Sequence, residues 1–92
     1  MSYYIALIHK DPGSDYGVSF PDVPGAVTAG KTIDEAMQLA AEVLEFAAEG
    51  WPGAFPQPRS IDELRRDAGF REDAAEAIIV AVPFREKAEA AE

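Results

Sequence analysis

A catalytic or metal centre in this chain would have to be built from one histidine, a few serine hydroxyls and seventeen aspartates and glutamates, because there is no cysteine. His9 closes an apolar run, Tyr3 to His9, and has no ligand-type partner at a metal-binding spacing, so it reads as a solvated or capping imidazole. Ser2, Ser14 and Ser19 lack the strand-turn-helix context of an activated nucleophile, and Ser60 is explained as a helix cap. Gly25 and Gly30 read as turn residues rather than as a phosphate-binding loop. A two-metal nuclease needs carboxylates gathered on a central strand and helix, with the ions about 4 Å apart. Here the first three strand-like runs carry none. Asp11, Asp15 and Asp22 fall in turns, where aspartate bonds its own backbone, and Asp22 between Pro21 and Val23-Pro24 reads first as a turn organiser and second as a partner-binding residue. The expectation is a protein without catalytic residues, cofactor or metal.

The remaining chemistry is electrostatic. Seventeen acidic against eight basic residues leave a net charge of −9. Affinity for a phosphate backbone comes from clustered lysine and arginine, so direct nucleic-acid binding is not expected, and a basic partner fits better. Acidity also keeps a small protein soluble, and on charge alone that reading stands beside the first. The acid concentrates on one predicted helix: Asp34, Gln38, Glu42, Glu45 and Glu49 fall on its outer side. Such a ridge is either a solvated face or a contact for a basic protein.

That helix is the clearest element. Thr32 with Glu35 three residues on makes a capping box, and Ile33, Ala36, Met37, Ala40, Val43, Leu44 and Ala47 form an apolar stripe running to Glu49. Gly50 is placed to end it in a left-handed conformation. Before it, Tyr3–His9, Tyr16–Phe20 and Ala26–Ala29 read as three strands joined by the turns Lys10–Asp15 and Pro21–Gly25, which are too short for a crossover and therefore antiparallel. Three prolines between Trp51 and Arg59 make a loop, with Trp51 and Phe55 expected to pin it. Ser60 and Glu63 repeat the capping box and start a short helix to about Ala68, with Gly69 after it. Glu76–Val82 is apolar on both faces, so it is expected inside the sheet beside the first strand, ended by Pro83. The sum is α+β: an antiparallel β-β-β-α-β sheet with one main helix and a short second one.

At 92 residues, 48% hydrophobic and 27% charged, this is one small domain with enough apolar mass for a core. A chain this short buries only about 60 to 65 per cent of its unfolded surface, so a homo-oligomer, dimer or tetramer, is expected. The start lacks a basic segment followed by a long apolar run, and no stretch of about 18 apolar residues could span a membrane, so no membrane association and a cytoplasmic location are expected.

The pattern Tyr16-Gly17-Val18, Phe20-Pro21-Asp22-Val23-Pro24-Gly25, then Gly30, Thr32 and Glu35-Ala36 resembles the HicB-like antitoxins of bacterial and phage toxin–antitoxin pairs. The likeness runs from about Tyr3 to Arg85. Phe55-Pro56-Gln57-Pro58 and Val82-Pro83-Phe84 support it more weakly. It implies a partial ribonuclease H fold for a domain over 1–85, defined by Gly17, Phe20, Pro21, Pro24, Gly25, Gly30, Thr32, Glu35 and Ala36; the acidic tail over 86–92, of helix-forming composition but without an apolar stripe, is expected to fray. It also implies a non-enzymatic partner of a small basic HicA-like ribonuclease toxin, whose RNA surface and catalytic histidine the antitoxin covers. Candidate contacts are Asp22, Asp34, Glu42, Glu45 and Glu49. Longer relatives carry a promoter-binding domain after the last strand, so a short form without DNA binding is expected. The alternative is a stand-alone homo-oligomeric regulator or scaffold of the same fold. An orphan nuclease is a third class, requiring RNA cleavage that depends on magnesium or manganese.

Overall fold

Because Tyr4, Ala6 and Ile8 alternate with Tyr3, Ile5 and Leu7, the first strand presents an apolar row to each side and belongs in the middle of a sheet. A computed structural model describing residues 2–85 places it there. Strand β1 (Ser2–Lys10) pairs antiparallel with β2 (Tyr16–Ser19) on one side and with β4 (Ile78–Phe84) on the other, and β3 (Val27–Gly30) adds to β2. The order is β3-β2-β1-β4. Between β3 and β4 run α1 (Ile33–Glu49), α2 (Ile61–Leu64) and α3 (Ala68–Ala74). The tail over 86–92 lies outside the described residues.

The main core lies under α1. Ala36, Ala40 and Leu44 are fully buried against Tyr4, Ala6, Ile8, Val18, Phe20, Val82 and Phe84. Met37, Val43 and Ala47 pack at its margin, and Ile33 is exposed at the helix start. Alanine at 36 and 40 lets the helix backbone approach the sheet closely. The loop after α1 is sealed by aromatic contacts: Phe55 meets Trp51 edge-to-face and Tyr4 and Phe84 at a tilt, with ring centroids 5.3–5.8 Å apart, and the Tyr4 hydroxyl donates to the Pro56 carbonyl at 2.6 Å. The pinning roles of Trp51 and Phe55 hold.

The opposite face of the sheet carries a smaller core. Leu7 is buried there against Leu64 of α2 and Phe70 of α3, with Ile5, Ile61, Ala74 and Ala77 at the rim. His9, on the same side, donates from Nε2 to the Asp73 carbonyl at 2.9 Å, a capping role at the end of α3.

Four local expectations need correction. The second helix stops at Leu64, and Gly69 lies inside a further helix, α3, because Asp67 caps it: its Oδ1 accepts from the Gly69 and Phe70 amides at 2.8 and 3.3 Å. Strand β4 is an edge strand, and it continues through Pro83 to Phe84, since an edge position spares a proline the need for an N–H. Gly50 has φ −99°, outside the left-handed region, and still closes onto the Phe46 carbonyl. At the start of α1, Thr32 Oγ1 accepts from the Glu35 amide at 3.0 Å, but the Glu35 carboxylate reaches one residue further back, to the Lys31 amide at 2.6 Å. At Ser60 the capping box is complete.

The Asp67 cap makes a pH prediction. Its two backbone hydrogen bonds, aided by Arg59 Nη1 at 3.7 Å from Oδ2, hold the carboxyl below its ordinary 3.8. A carboxyl whose folded pKa is depressed stabilises the fold fully above its unfolded value and loses that contribution as pH falls through the lower folded value. The Arg71 amide, which donates to the Asp67 carbonyl, is therefore expected to lose hydrogen-exchange protection below pH 3.8. Asp67→Asn is expected to flatten that dependence.

Candidate interaction surface

Helical geometry sorts the outer side of α1 into two strips. At 3.6 residues per turn, Asp34, Gln38, Glu42, Glu45 and Glu49 fall within an arc of roughly 80° and span about 22 Å along the axis. All five are exposed. Beside this acidic ridge, on the side facing β3, lie Leu39, Val43 and Phe46. Phe46 is 76% exposed, the most exposed of the large apolar side chains among the described residues. Its neighbours one turn away are Glu42, Val43, Glu49 and Gly50.

Phe46 stands between two shallow concavities. One, of about 380 Å³, is lined by Pro24, Gly25 and Ala26 of the β2–β3 turn and by Val43, Ala47, Gly50 and Trp51. The other is lined by Thr28 of β3 together with Leu39, Glu42 and Val43. An exposed aromatic between apolar hollows, rimmed by carboxylates, suits a basic protein that buries an apolar anchor among its cations. The pattern of acidic residues alone does not point to Phe46. The signal was present: a phenylalanine off the apolar stripe of an otherwise regular amphipathic helix.

Asp22 sits elsewhere. Its side chain is only 7% exposed, and its two oxygens accept from the Arg59 amide at 2.7 Å and from Arg59 Nε at 2.6 Å. It ties the β2–β3 turn to the loop before α2, so the organising role is met through a distant residue. Around it the turn closes by Val23 N–H to the Phe20 carbonyl and Ala26 N–H to the Val23 carbonyl, with Val23 fully buried and Gly25 at φ +91°. Asp22→Ala leaves the Arg59 amide without its acceptor and is expected to cost about 1–3 kcal/mol. A thermal melt checks this, with a drop of about 5 °C or more.

The residues Gly25-Ala26-Val27-Thr28-Ala29-Gly30-Lys31-Thr32 also spell the spacing of a phosphate-binding loop. The fold gives them another use. Val27–Gly30 is a paired strand rather than a loop, in register with Ser19, Val18, Gly17 and Tyr16. Among the described residues no three of histidine, aspartate or glutamate gather to hold a metal ion, and no helix is long and apolar enough to cross a membrane.

Residues 4–91 match the sequence family described as the HicB_like antitoxin of bacterial toxin-antitoxin system. The chain belongs to the HicB-like antitoxin family. The crystal structure of the antitoxin HicB from Burkholderia pseudomallei superposes with a TM-score of 0.73 at 28% identity, covering 95% of this chain and 66% of that one. The HicB-like chain also superposes on a toxin–antitoxin complex from Streptococcus pneumoniae, with a TM-score of 0.69 at 27% identity over 90% of this chain and 68% of that one. A HicA3 and HicB3 toxin–antitoxin complex shares the fold, with a TM-score of 0.68 at 24% identity over 91% and 99%. An uncharacterized 14.9 kDa protein of Haemophilus phage HP1 is 54% identical over 50 residues, which is 54% of this chain and 36% of the phage protein.

Proposed function

We propose that this chain is a non-enzymatic antitoxin that neutralises a small basic HicA-type ribonuclease toxin by covering its RNA-binding and catalytic surface. Membership of an antitoxin family supports the role, and toxin–antitoxin complexes are among the structures that share its fold. The observation that carries the site is the acidic ridge of α1 with Phe46 beside it. Asp34, Glu42, Glu45 and Glu49 supply the complementary field, which speeds encounter and opposes wrong pairings. Phe46, Leu39 and Val43 supply the apolar contact that holds the complex. Asp22 acts indirectly by fixing the turn that lines one hollow. The chain acts in the cytoplasm as a homo-oligomer and does not bind nucleic acid itself, in keeping with a net charge of −9.

The test is to co-express the chain with the small basic protein encoded beside it, purify through a tag on one, and assay RNA cleavage with and without the other. Co-purification with suppressed cleavage supports neutralisation. An active nuclease neighbour that neither binds nor is inhibited overturns it.

A further inference from the structure

We propose that Arg59, which belongs neither to the acidic ridge nor to the apolar strip of α1, is a positioning residue for the hollow beside Phe46. Its consequence for partner binding rests on the antitoxin reading, whereas its hold on the hollow stands on geometry alone. Two walls of that hollow come from different parts of the chain: Pro24, Gly25 and Ala26 from the β2–β3 turn, and Gly50 and Trp51 from the end of α1. Residues 51–59 form a strap between them. Its first residue, Trp51, lines the hollow, and its last, Arg59, grips Asp22 in the turn through the backbone amide at 2.7 Å and Nε at 2.6 Å.

The strap transmits position because it is stiff and pinned. Pro52, Pro56 and Pro58 fix φ along it. Midway, the Phe55 ring meets Trp51, Tyr4 and Phe84, and the Pro56 carbonyl accepts from the Tyr4 hydroxyl. At its far end the Ser60 cap starts α2 at once, and Arg59 Nη1 lies 3.7 Å from Oδ2 of Asp67, the cap of α3. The turn has less support of its own. Its internal bonds, Val23 N–H to the Phe20 carbonyl and Ala26 N–H to the Val23 carbonyl, set its shape, and the Val23 side chain roots it in the core. Among the described residues, the hydrogen bonds that leave the turn run from Asp22 to Arg59. Pro24 and Gly25, the lip of the hollow, are exposed. The Asp22 side chain is only 7% exposed, so water does not readily replace a guanidinium lost from Oδ1. The clasp therefore holds the two walls in place before a partner arrives, and such preorganisation raises affinity by sparing the cost of ordering on binding.

Trp51 is the chain's only tryptophan, so its emission reports on the hollow. The experiment is acrylamide quenching of Trp51 in the 92-residue chain, with circular dichroism to establish that each variant is folded. Arg59→Met, which keeps an apolar stem and removes the charge, is expected to raise the quenching constant about twofold. Asp22→Asn is expected to act likewise, and the double variant no more than either, because both open one clasp. Arg59→Lys, which keeps a cation within reach of Oδ1, is expected to restore most of the wild-type value. A wild-type constant in folded Arg59→Met or Asp22→Asn, or additive effects in the double variant, would overturn the proposal. With the basic toxin proposed as the partner, Arg59→Met is expected to raise Kd about tenfold and Arg59→Lys to recover most of the loss. An unchanged Kd would overturn the positioning role. A wild-type chain that binds no toxin, with the quenching result in place, supports the clasp and counts against the antitoxin reading alone.

Discussion

Gly30→Ala is expected to destabilise the fold by about 3 kcal/mol or more and to lower Tm by over about 10 °C. A Cβ on Gly30 would lie 2.6 Å from the Ala36 nitrogen, 2.8 Å from its Cα and 3.0 Å from the Glu35 carbonyl carbon. All three atoms are backbone of the first turn of α1, so no side chain can swing aside. Relief requires moving that turn. The same turn holds the Thr32 cap at 3.0 Å and the Glu35 bond to the Lys31 amide, and Ala36 and Ala40 behind it are buried against the sheet. Few contacts in a domain of this size matter as much, because total stability is only about 5–15 kcal/mol. Gly17→Ala is the matched control in the neighbouring strand. Its Cβ would meet only the His9 carbonyl oxygen, at 3.9 Å, so a neutral or slightly stabilising result is expected. Equal melting temperatures for the two variants would show that α1 can retreat from β3 without cost.

Gly30 illustrates how far the sequence could be read. That a glycine closes the strand before a capped helix was legible, and α1 appears with the limits that Thr32 and the apolar stripe predict. The reason for glycine was not, because it lies in a close approach between two backbones that no local pattern encodes. The three-strand meander was legible from alternation and short turns, to within one residue at most strand ends. The neighbourhood of β4 was harder. An apolar run such as Ile78-Ile79-Val80-Ala81-Val82 suggests burial on both faces, yet the strand lies at the edge, and only the packing of α1 on one side separates Val82 from Ile79. Helix α3 was hidden because glycine more often follows a helix than enters its first turn, so Gly69 read as a stop although Asp67 two residues earlier is a cap.

The site follows the same division. Charge composition and helical spacing reveal the ridge of Asp34, Glu42, Glu45 and Glu49 without coordinates. Asp22 was read through its proline neighbours as a turn residue, but its anchor, Arg59, is 37 positions away, a separation at which local spacing gives no guidance. Charge patterning does not single out Phe46, because the anchor of an interface is commonly an aromatic that charges surround.

Phe46→Glu is accordingly expected to leave the fold intact while weakening the complex with the toxin proposed as its partner by about 2 kcal/mol or more, roughly a 30-fold rise in Kd. At 76% exposure the ring contributes little to the core, so its loss should leave the melting temperature within about 2 °C of wild type. Binding should respond for two reasons: the ring that fills space between the hollows at Pro24–Trp51 and Thr28–Leu39 is gone, and a carboxylate stands where apolar surface is to be desolvated. The ridge residues should behave differently. Glu42→Lys and Glu45→Lys act on the field around the contact, so they should slow association and flatten its dependence on salt, with smaller effects on dissociation. Stopped-flow association at two ionic strengths, with dissociation followed by competition, separates these arms. A Phe46→Glu variant that binds with wild-type affinity, while the lysine variants still slow association, would keep the ridge as the steering surface and move the anchor elsewhere. If all three variants bind and inhibit like wild type, the toxin contact does not lie on α1.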